Sequence, residues 1–378
     1  MRRVIISGGG TGGHIYPAIT IARAIADIEP TEFLYVGSKI GLENTLIPKE
    51  GLPFVTLDVR GLERKISVRN LVTLGKTAGS LIKAEGIIHK FKPDVVIGTG
   101  GFVCGPVLLA ASLSGVPTLI QEQNVIPGVT NTILSRFVNR VALGYEEAAA
   151  RFKRKDILVY TGNPVRKDIL TVTREEGRKA LGLDPDKFTL LVAGGSRGAR
   201  SINTAMIEVH KYFRNDDHIQ ILHVTGDHEY DRVVKQLPGI ECRGRYGKGS
   251  RIIPYLHHMP DALAACDLAV YRAGAVGLAE LTVRGVPSIL IPYPYAAEDH
   301  QRYNAQALGM CGAAKMILDK MLTGRELLEE IIHLKDDPKA LAAMAKASRS
   351  MGKPQAAHDI AELALSLIPI SEPTRLQL

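Results

Sequence analysis

The sequence predicts two consecutive α/β domains, each with a parallel sheet covered by helices. The chain has 378 residues, which is more than one domain usually contains. Short apolar runs of strand length alternate with longer amphipathic runs, which is the pattern of βαβ units. Each half of the chain also opens with a strand that runs into a glycine cluster.

The first half contains five short apolar runs that we interpret as buried strands. They lie at 4–7, 33–37, 94–98, 118–122 and 140–143. Helical patterns at 15–27 and 71–90 lie between some of them. We therefore predict a first domain over residues 1–163.

The same alternation begins again in the second half. The predicted strands are 189–193, 219–225, 251–255, 268–271 and 288–292, and the predicted helices are 201–213, 260–266, 275–284 and 301–309. This pattern predicts a second domain over residues 164–340. We expect 341–364 to form a C-terminal helix that returns to the first domain. The tail 365–378 looks foreign to the native chain, and we exclude it from the predicted fold.

Composition narrows the function classes. The net charge of +8 suits a nucleic acid, an anionic lipid or a phosphorylated substrate. The chain has no tryptophan and no RNP, helix-turn-helix or zinc-finger pattern, so we predict no nucleic-acid partner. Its four cysteines are scattered without a CxxC pair, and they predict neither a metal site nor a disulfide framework. We also expect no membrane-spanning segment and no signal peptide.

The first glycine loop, residues 7–14 (SGGGTGGH), joins a strand to a helix. Glycine lets a backbone approach a bulky anion and adopt positive φ, and the helix N-terminus offers free N–H groups. The functional interpretation is a phosphate or diphosphate site, and the alternative is a tight turn that binds nothing. His14 lies where this loop meets the helix.

The second glycine loop, residues 193–200 (AGGSRGAR), repeats this arrangement and adds a hydroxyl and two guanidinium groups. One such loop is weak evidence, but two at equivalent places favour ligand binding. Neither loop has the spacing of a dinucleotide-binding fingerprint, and the second strand lacks the acidic residue that would hold a ribose. Neither loop ends in the Gly-Lys-Ser/Thr of a P-loop.

Polar residues follow other predicted strands, where α/β domains bind their ligands. Glu280 falls in the first two turns of a predicted helix, and its carboxylate can accept both hydroxyls of a ribose. The alternative is a carboxylate that only interacts with the helix dipole. His300 and Gln301 either read sugar hydroxyls or form a solvated helix N-terminus. The polar run 121–124 ends a strand in the first half, and we expect it to line the same cleft as His14.

Together these segments resemble the MurG family of glycosyltransferases. The matching motifs, in chain order, are GGGTGGHxxP, GTGGFxxGP, EQNxxPGxxN, GNPVR, GGSxGA and RAGAxxxAE. The match extends from residue 4 to about residue 357. The resemblance implies the GT-B fold, in which two Rossmann-like domains face each other across a cleft. It also implies an inverting, metal-independent transfer without a cofactor: GlcNAc passes from UDP-GlcNAc to the C4 hydroxyl of lipid-linked MurNAc-pentapeptide, converting lipid I to lipid II in peptidoglycan synthesis.

The resemblance also implies roles for individual residues. His14 is the general base. The donor-binding residues are Thr11, Gly12, Gly13, Asn124, Arg166, Gly195, Ser196, Leu256, Ala275, Glu280, His300 and Gln301. The acceptor-binding residues are Gly9, Gly10, His14, Gly100, Gly101, Glu122 and Asn124. Arg166 and Ser196 would contact the diphosphate of the donor, and the backbone of Leu256 would read the uracil.

The implied acceptor is anchored in a membrane, so we expect a peripheral protein on the cytoplasmic face of the bacterial cell membrane. The segment 60–92 mixes apolar and basic residues, which suits the interface of an anionic leaflet. The alternative is an ordinary amphipathic helix packed on the sheet, with a solvated rim.

Two segments depart from the family pattern. Tyr271 and the pair Val276 and Gly277 stand where relatives usually have a small residue and Ser/Thr-Leu, and 226–228 lacks the usual Gly-Lys or Gly-Thr. Three other functions remain open. They are transfer to a different acceptor such as diacylglycerol or a natural product, 2-epimerisation of UDP-GlcNAc, and nucleotide-sugar binding without catalysis.

Overall fold

The computed structural model describes residues 1–59, 68–195, 198–239 and 245–369, without the side chains of 68–78. It divides the chain into two compact units. Unit 1 comprises Met1–Pro164 and Gln355–Leu378, and unit 2 comprises Val165–Pro354. Each unit is an α/β domain with a seven-stranded sheet, so the predicted fold class is confirmed.

Within the first 164 residues, the described part of the chain forms seven strands and five α-helices. The strands are β1 (Arg2–Ser7), β2 (Thr31–Ser38), β3 (Phe54–Leu57), β4 (Val95–Gly98), β5 (Thr118–Glu122), β6 (Arg140–Leu143) and β7 (Leu158–Tyr160). The helices are α1 (Gly12–Ile28), α2 (Glu43–Lys49), α3 (Val68–Phe91), α4 (Cys104–Leu113) and α5 (Val129–Leu134).

The sheet of unit 1 has the order β3-β2-β1-β4-β5-β6-β7, and all its strands are parallel. Alternate residues of a strand point to opposite faces, and β1 shows this clearly. Val4 and Ile6 are buried in a core with α1, whereas Ile5 is buried in the opposite core, against α3 and α4. Because both faces are covered, β1 is apolar on both sides.

The described residues of unit 2 form the next seven strands and nine α-helices. The strands are β8 (Phe188–Ala193), β9 (Ile219–Val224), β10 (Arg245–Tyr246), β11 (Ser250–Ile253), β12 (Leu268–Tyr271), β13 (Ser288–Leu290) and β14 (Ala314–Met316). The helices are α6 (Lys167–Thr171), α7 (Arg174–Leu181), α8 (Arg200–Tyr212), α9 (Tyr230–Gln236), α10 (Met259–Ala265), α11 (Ala275–Arg284), α12 (His300–Met310), α13 (Gly324–Asp336) and α14 (Pro338–Met351).

The sheet of unit 2 has the order β10-β11-β9-β8-β12-β13-β14. Its strands are parallel except for β10, which pairs antiparallel with β11. Helices α8 and α13 pack together and cover one face with a core that includes Leu190 and Val270.

The C-terminal segment is divided differently from the prediction. Residues 341–351 belong to α14, which packs against α11 within unit 2 and does not return to the first domain. Only the last helix, α15 (Ala356–Ser366), packs against α1 in unit 1. Gly352 and Pro354 separate the two helices, and Pro disfavours continuation of a helix. Part of the tail that we excluded from the predicted fold is also packed: Leu365, Leu367 and Ile368 lie on the core of unit 1. Residues 370–378 lie outside the described chain.

In each sheet the strand order reverses direction at one place. In unit 1 this topological switch point lies between β1 and β4, and in unit 2 it lies between β8 and β12. Ligands of open α/β sheets bind beyond the carboxyl ends of the strands at such points. The first glycine loop follows β1 and the second follows β8, so each lies at the switch point of its own sheet.

Candidate active site

At the switch point of unit 1, the loops after β1 and β4 touch each other closely. The amide of Gly9 donates to the carbonyl of Gly100 over 3.2 Å. Gly100 and Gly101 have φ of +111° and +86°, in the region that favours glycine. A Cβ on Gly101 would come within 2.6 Å of the Gly9 carbonyl oxygen. Position 101 therefore requires glycine, because any side chain there would keep the two loop backbones apart.

His14 lies against this pair of loops, in the first turn of α1. Its Nδ1 lies 2.9 Å from the carbonyl oxygen of Gly9. A carbonyl only accepts hydrogen bonds, so Nδ1 carries the proton and the lone pair of the neutral ring is on Nε2. A Cβ on Gly100 would lie 3.0 Å from Nε2, so the ring packs on that glycine. The structure thus brings together His14, Gly9, Gly10, Gly100 and Gly101.

The N-terminus of α1 is open to an anion. Thr11 is its N-cap residue, with an extended backbone and no hydrogen bond from its side chain to the helix. The first turn contains no acidic residue, and Thr11 and Gly13 are exposed. Free N–H groups and the helix dipole favour negative charge at such a terminus. Thr11, Gly12 and Gly13, predicted to bind the donor, lie in unit 1 beside residues predicted to bind the acceptor.

Glu122 organises the loop after β5. It is 1% exposed, and its carboxylate accepts hydrogen bonds from the backbone of Asn124 and Gly128 and from the side chain of Asn131. Asn124 is half-buried, and its side-chain amide also donates to Glu122. The structure therefore gives Glu122 a role in shaping the loop that presents Asn124.

In unit 2, Glu280 and Arg166 lie together. Glu280 is in the second turn of α11 and is 8% exposed, and Nη2 of Arg166 lies 3.5 Å from its Oε1. Burial raises the pKa of Glu280 from its ordinary 4.5 to about 7, and the charge of Arg166 opposes part of this rise. A buried carboxylate whose ionisation depends on its partners is typical of ligand sites.

Two helix N-termini meet the switch point of unit 2. Helix α8 follows the second glycine loop, and α11 begins at Ala275; neither has a side-chain cap or an acidic residue in its first turn. Gly195 has φ of +89° and is exposed. A Cβ on Gly198 would lie 2.0 Å from the carbonyl oxygen of Thr225, so the loop packs directly on the end of β9. Ser196 lies outside the described residues.

The loop after β13 ends in a strained turn before α12. Glu298 and Asp299 have φ of +52° and +54°, which is unusual for residues other than glycine. Strain of this kind is often found at functional sites. The turn is followed by His300, whose Nδ1 donates to the carbonyl of Ala297, and by Gln301, whose Oε1 accepts from the amide of Tyr293.

Leu256 and Tyr271 occupy different surroundings in unit 2. Leu256 is half-buried in the loop after β11. Tyr271 is 8% exposed, and burial raises its pKa well above the ordinary value. A Cβ on Gly277 would lie 3.0 Å from Cε1 of Tyr271. The ring of Tyr271 therefore occupies space that a side chain at 277 would need, and this contact links two of the departures from the family pattern.

Sequence reasoning missed two charged residues that hold these loops in place. Arg272 donates to the carbonyls of Ile291 and Pro292 and to Ser201 at the start of α8, and it pairs with Asp319. It therefore joins the carboxyl ends of two strands to the second glycine loop. Glu43 lies beneath the first glycine loop and accepts from the amide of Gly10. Arg272 stands in the RAGA motif and could have been singled out, but Glu43 had no signal of its own.

Comparison with known proteins identifies the family of this chain. The glycosyltransferase family 28 N-terminal domain matches residues 4–143, and the glycosyltransferase family 28 C-terminal domain matches residues 189–360. A relative from Desulforamulus reducens (strain ATCC BAA-1160 / DSM 100696 / MI-1) is 48% identical over 370 residues, covering 97% of this chain and 99% of the relative. A relative from Thermoanaerobacter sp. (strain X514) is 47% identical over 366 residues, covering 97% of this chain and all of the relative. Both are named UDP-N-acetylglucosamine--N-acetylmuramyl-(pentapeptide) pyrophosphoryl-undecaprenol N-acetylglucosamine transferase.

Solved structures show the same fold. MurG of Acinetobacter baumannii has a TM-score of 0.77 and 26% identity, with 97% of this chain and 100% of that chain covered. A UDP-GlcNAc 2-epimerase from Neisseria meningitidis, bound to UDP-GlcNAc, has a TM-score of 0.68 but only 14% identity, with 97% and 100% covered. The epimerase therefore shares the fold alone. Since both family domains match in order and the relatives align over almost their whole length, the chain belongs to the MurG family within glycosyltransferase family 28.

Proposed function

We propose that this protein transfers GlcNAc from UDP-GlcNAc to lipid-linked MurNAc-pentapeptide, the reaction in the names of its relatives, and that the C4 hydroxyl of MurNAc is the acceptor. The observation that carries the proposal is His14, held as the Nδ1–H tautomer beside an open helix N-terminus at the switch point of unit 1. This arrangement suits a base next to a bound phosphate. The relatives add the identity of both substrates.

Unit 2 binds the donor in this proposal. The carboxylate of Glu280 accepts the ribose hydroxyls, and the Leu256 backbone reads the uracil. Gly195 and Ala275 contact the diphosphate at the N-termini of α8 and α11, which lack acidic residues in their first turns. The family resemblance adds Ser196, which lies outside the described residues. Arg166 adds a positive charge near Glu280. His300 and Gln301 contact the GlcNAc hydroxyls from the start of α12.

Unit 1 binds the acceptor. Gly9, Gly10, Gly100 and Gly101 present backbone amides to its diphosphate, together with the N-terminus of α1, where Thr11, Gly12 and Gly13 lie. Asn124, presented by Glu122, contacts the sugar. The family resemblance also implies that Thr11, Gly12, Gly13 and Asn124 bind the donor, and we keep this role as part of the proposal.

The chemical step is a single displacement. The acceptor C4 oxygen forms a bond to the anomeric carbon of GlcNAc while its proton passes to Nε2 of His14. The bond from the anomeric carbon to the β-phosphate oxygen breaks, and its electron pair leaves with UDP. Attack opposite the leaving group inverts the anomeric configuration. Preorganised helix N–H groups and Arg166 stabilise the charge that develops on UDP, without a metal ion.

Membrane binding is also a proposal, and the predicted segment 60–92 stays part of it. Most side chains of that segment lie outside the described residues. Among the described residues, four exposed apolar side chains lie at the end of α4, on α5 and just after α5: Leu113 (72%), Val129 (63%), Ile133 (52%) and Phe137 (48%). We call them the α4–α5 patch. Ser112 donates to the Phe137 carbonyl, which brings Leu113 close to Phe137.

The α4–α5 patch has a basic edge. Arg136 is exposed between Ile133 and Phe137, and Arg154 donates to the carbonyl of Val138 beside them. Apolar side chains surrounded by cations suit an anionic leaflet. Among the described helices, none has the length and apolar character needed to cross a membrane. We propose that the patch holds the protein on the cytoplasmic face of the cell membrane as a peripheral protein.

The transfer itself is tested by incubating the protein with UDP-GlcNAc and a lipid I analogue and measuring the mass of the product. We expect the analogue to gain one GlcNAc. His14→Ala should reduce transfer by about 10²–10⁴, the range for a general base, while UDP-GlcNAc binding by calorimetry persists. His89→Ala, at an exposed position on α3, is the matched control and should transfer normally. Transfer by His14→Ala at the normal rate would remove His14 as the base, and conversion of UDP-GlcNAc without an acceptor would favour an epimerase.

Membrane binding is tested with vesicles that contain an anionic phospholipid. Replacing Ile133 and Phe137 by Asp should weaken cosedimentation at least about tenfold, because burial of one such side chain contributes about 1.5–3 kcal/mol. Met310→Asp changes an even more exposed apolar residue of unit 2 and should bind normally. Transfer to a water-soluble acceptor analogue should be unaffected in both. Unchanged vesicle binding by the double variant would refute the α4–α5 patch.

A further inference from the structure

A buried carboxylate lies directly beneath the first glycine loop, and the proposed mechanism does not use it. Glu43, the first residue of α2, is 0% exposed. Its Oε2 accepts from the amide of Gly10 over 3.0 Å, and its Oε1 accepts from the amide of Ser38 over 3.0 Å and from the Ser38 hydroxyl. Both oxygens thus face N–H groups, which can only donate, and this arrangement suits the ionised carboxylate.

The backbone leaves room for this carboxylate by means of glycines. A Cβ on Gly9 would lie 2.6 Å from Oε1 of Glu43, one on Gly41 would lie 2.2 Å from Oε2, and one on Gly37 would lie 2.8 Å from Cγ. Three separate glycines therefore enclose the same side chain. A helix N-cap or a surface ion pair would not need such a tight enclosure.

Glu43 and His14 bind the two ends of one peptide group. The N–H of the peptide between Gly9 and Gly10 donates to Glu43, and the C=O of the same peptide accepts from Nδ1 of His14 over 2.9 Å. Carboxylate, peptide and imidazole thus form a continuous chain of hydrogen bonds. In such a chain each hydrogen bond polarises the next, so a negative charge on the N–H side makes the carbonyl a stronger acceptor.

Two other titratable groups that contact this loop stay neutral. Tyr35 on β2 donates its hydroxyl to the Gly8 carbonyl, and burial raises its pKa well above the ordinary value. Burial also raises the pKa of the Cys104 thiol, at the start of α4, to about 11. Near neutral pH the Tyr35 hydroxyl and the Cys104 thiol therefore add no charge to this chain of hydrogen bonds.

We propose that Glu43 is a positioning residue for the reaction and acts on His14 through the peptide between Gly9 and Gly10. It holds the base as its Nδ1–H tautomer. It also stabilises the imidazolium that forms when Nε2 takes the proton of the acceptor hydroxyl. The proposal rests on the proposed function for its catalytic meaning, but the hydrogen-bonded chain itself can be tested without substrate.

The first test uses Glu43→Gln, which keeps the shape of the side chain and removes its charge. The titration midpoint of the His14 ring, followed by NMR in the substrate-free protein, should fall by about one pH unit, equivalent to a tenfold change. The acid limb of the kcat profile should move in the same direction. We expect kcat to fall roughly tenfold, less than on removal of the base itself, while KM for UDP-GlcNAc stays unchanged.

Ser38→Ala is the matched control. It removes the hydroxyl bound to the other carboxylate oxygen and leaves the hydrogen bond to Gly10 in place. It should reduce stability without moving the His14 midpoint. A His14 midpoint that is the same in Glu43→Gln as in the unmodified protein, or that moves equally in both variants, would overturn the proposal.

A second measurement needs no variant, so it remains decisive if Glu43→Gln fails to fold. In the unmodified protein the Gly10 amide resonance should shift with pH at the midpoint of the His14 ring, because both report on one peptide group. A Gly10 resonance that does not change through the His14 titration would refute the chain. If Gly10 and His14 titrate together but no GlcNAc is transferred, the proposed function fails and the hydrogen-bonded chain stands.

Discussion

Glu280 is a carboxyl group in surroundings that disfavour its charge. It is nearly enclosed by protein, and the guanidinium of Arg166 offsets only part of the cost of burial. With a pKa of about 7, the folded protein without ligand holds this group in a mixture of neutral and ionised forms near neutral pH. In the proposed function the ribose hydroxyls donate to the carboxylate and favour the ionised form.

This coupling predicts that the affinity for UDP-GlcNAc depends on pH. The pKa of the Glu280 carboxyl is raised in the folded protein, so this carboxyl is mostly neutral below about pH 7 and mostly ionised above it. We expect binding to be about tenfold weaker at pH 6 than at pH 8. Glu280→Gln should bind more weakly, with no pH dependence in this range, and the exposed Glu329→Gln should behave like the unmodified protein. Calorimetry gives the affinities, and a flat profile for the unmodified protein would contradict this role of Glu280.

Single residues differ in how far the sequence reveals them. His14, Gly9 and Gly100 could be placed together because parallel strands β1 and β4 end at the same edge of the sheet. Glu43 could not, because its contact with Gly10 spans 33 residues and depends on how α2 packs beneath the loop. The site roles of the predicted residues remain proposals, and Ser196 lies outside the described chain.

At the scale of elements, α8 and β9 are joined by a buried row of polar side chains. Nδ1 of His210 lies 2.9 Å from the Ser250 hydroxyl, and its Nε2 lies 3.0 Å from Nδ1 of His223. Nε2 of His223 lies 2.9 Å from the Asn203 amide oxygen, and Asn203 donates in turn to the carbonyl of Thr225. The row therefore ends at the residue on which the second glycine loop packs.

This row predicts that acid destabilises unit 2. Burial lowers the pKa of His210 to about 3 and that of His223 well below its ordinary value, so both rings are neutral in the folded protein. In the unfolded chain they take up protons near pH 6.5. Their stabilising contribution is therefore complete above pH 6.5 and is lost as the pH falls below it, by up to about 1.4 kcal/mol per pH unit for each ring.

The measurement is urea unfolding of the protein between pH 7 and pH 5. His223→Gln keeps a side chain that can form hydrogen bonds but does not titrate, so the loss of stability with acid should become shallower. His218→Gln, at an exposed position just before β9, is the control and should keep the original slope. The same slope in all three proteins would show that the pair does not control acid stability.

Strands and helices could be predicted where the pattern of apolar residues is long enough to show its period. The ten predicted strands all appear in the two sheets. Strands β3, β7, β10 and β14 were missed because each has two to four residues and lies at or next to a sheet edge, where a short run shows little periodicity. The break between α14 and α15 was readable from Gly352 and Pro354, but the common amphipathic pattern of 341–364 masked it.

At the scale of the whole molecule, unit 1 is built from two separate segments of the chain, and unit 2 lies between them in the sequence. Helix α15 returns to unit 1 and packs against α1. Ile360, Ala361 and Ala364 are all 0% exposed in the core that also holds Val4 and Ile15. The C-terminal helix is therefore part of the core of the first unit.

This contact predicts a local effect of Ile360→Ala. We expect a loss of about 2–5 kcal/mol, the usual cost of truncating a fully buried isoleucine. Hydrogen exchange followed by mass spectrometry should become faster in α1 and α15 but not in α13, which packs within unit 2. His358→Ala, half-exposed on α15, should leave exchange unchanged. Faster exchange confined to α15, with α1 protected as before, would show that α1 does not depend on this helix.

The return of α15 also bears on how the chain folds during its synthesis. Domains usually fold as units and the N-terminal one usually folds first. Here the first unit lacks Ile360, Ala361 and Ala364 until the ribosome has also made the second unit. The second unit is complete once Pro354 has emerged. Unit 2 can therefore reach its final packing before unit 1 does. Until α15 has been made, the apolar side of α1 stays uncovered, and we expect it to need chaperone protection.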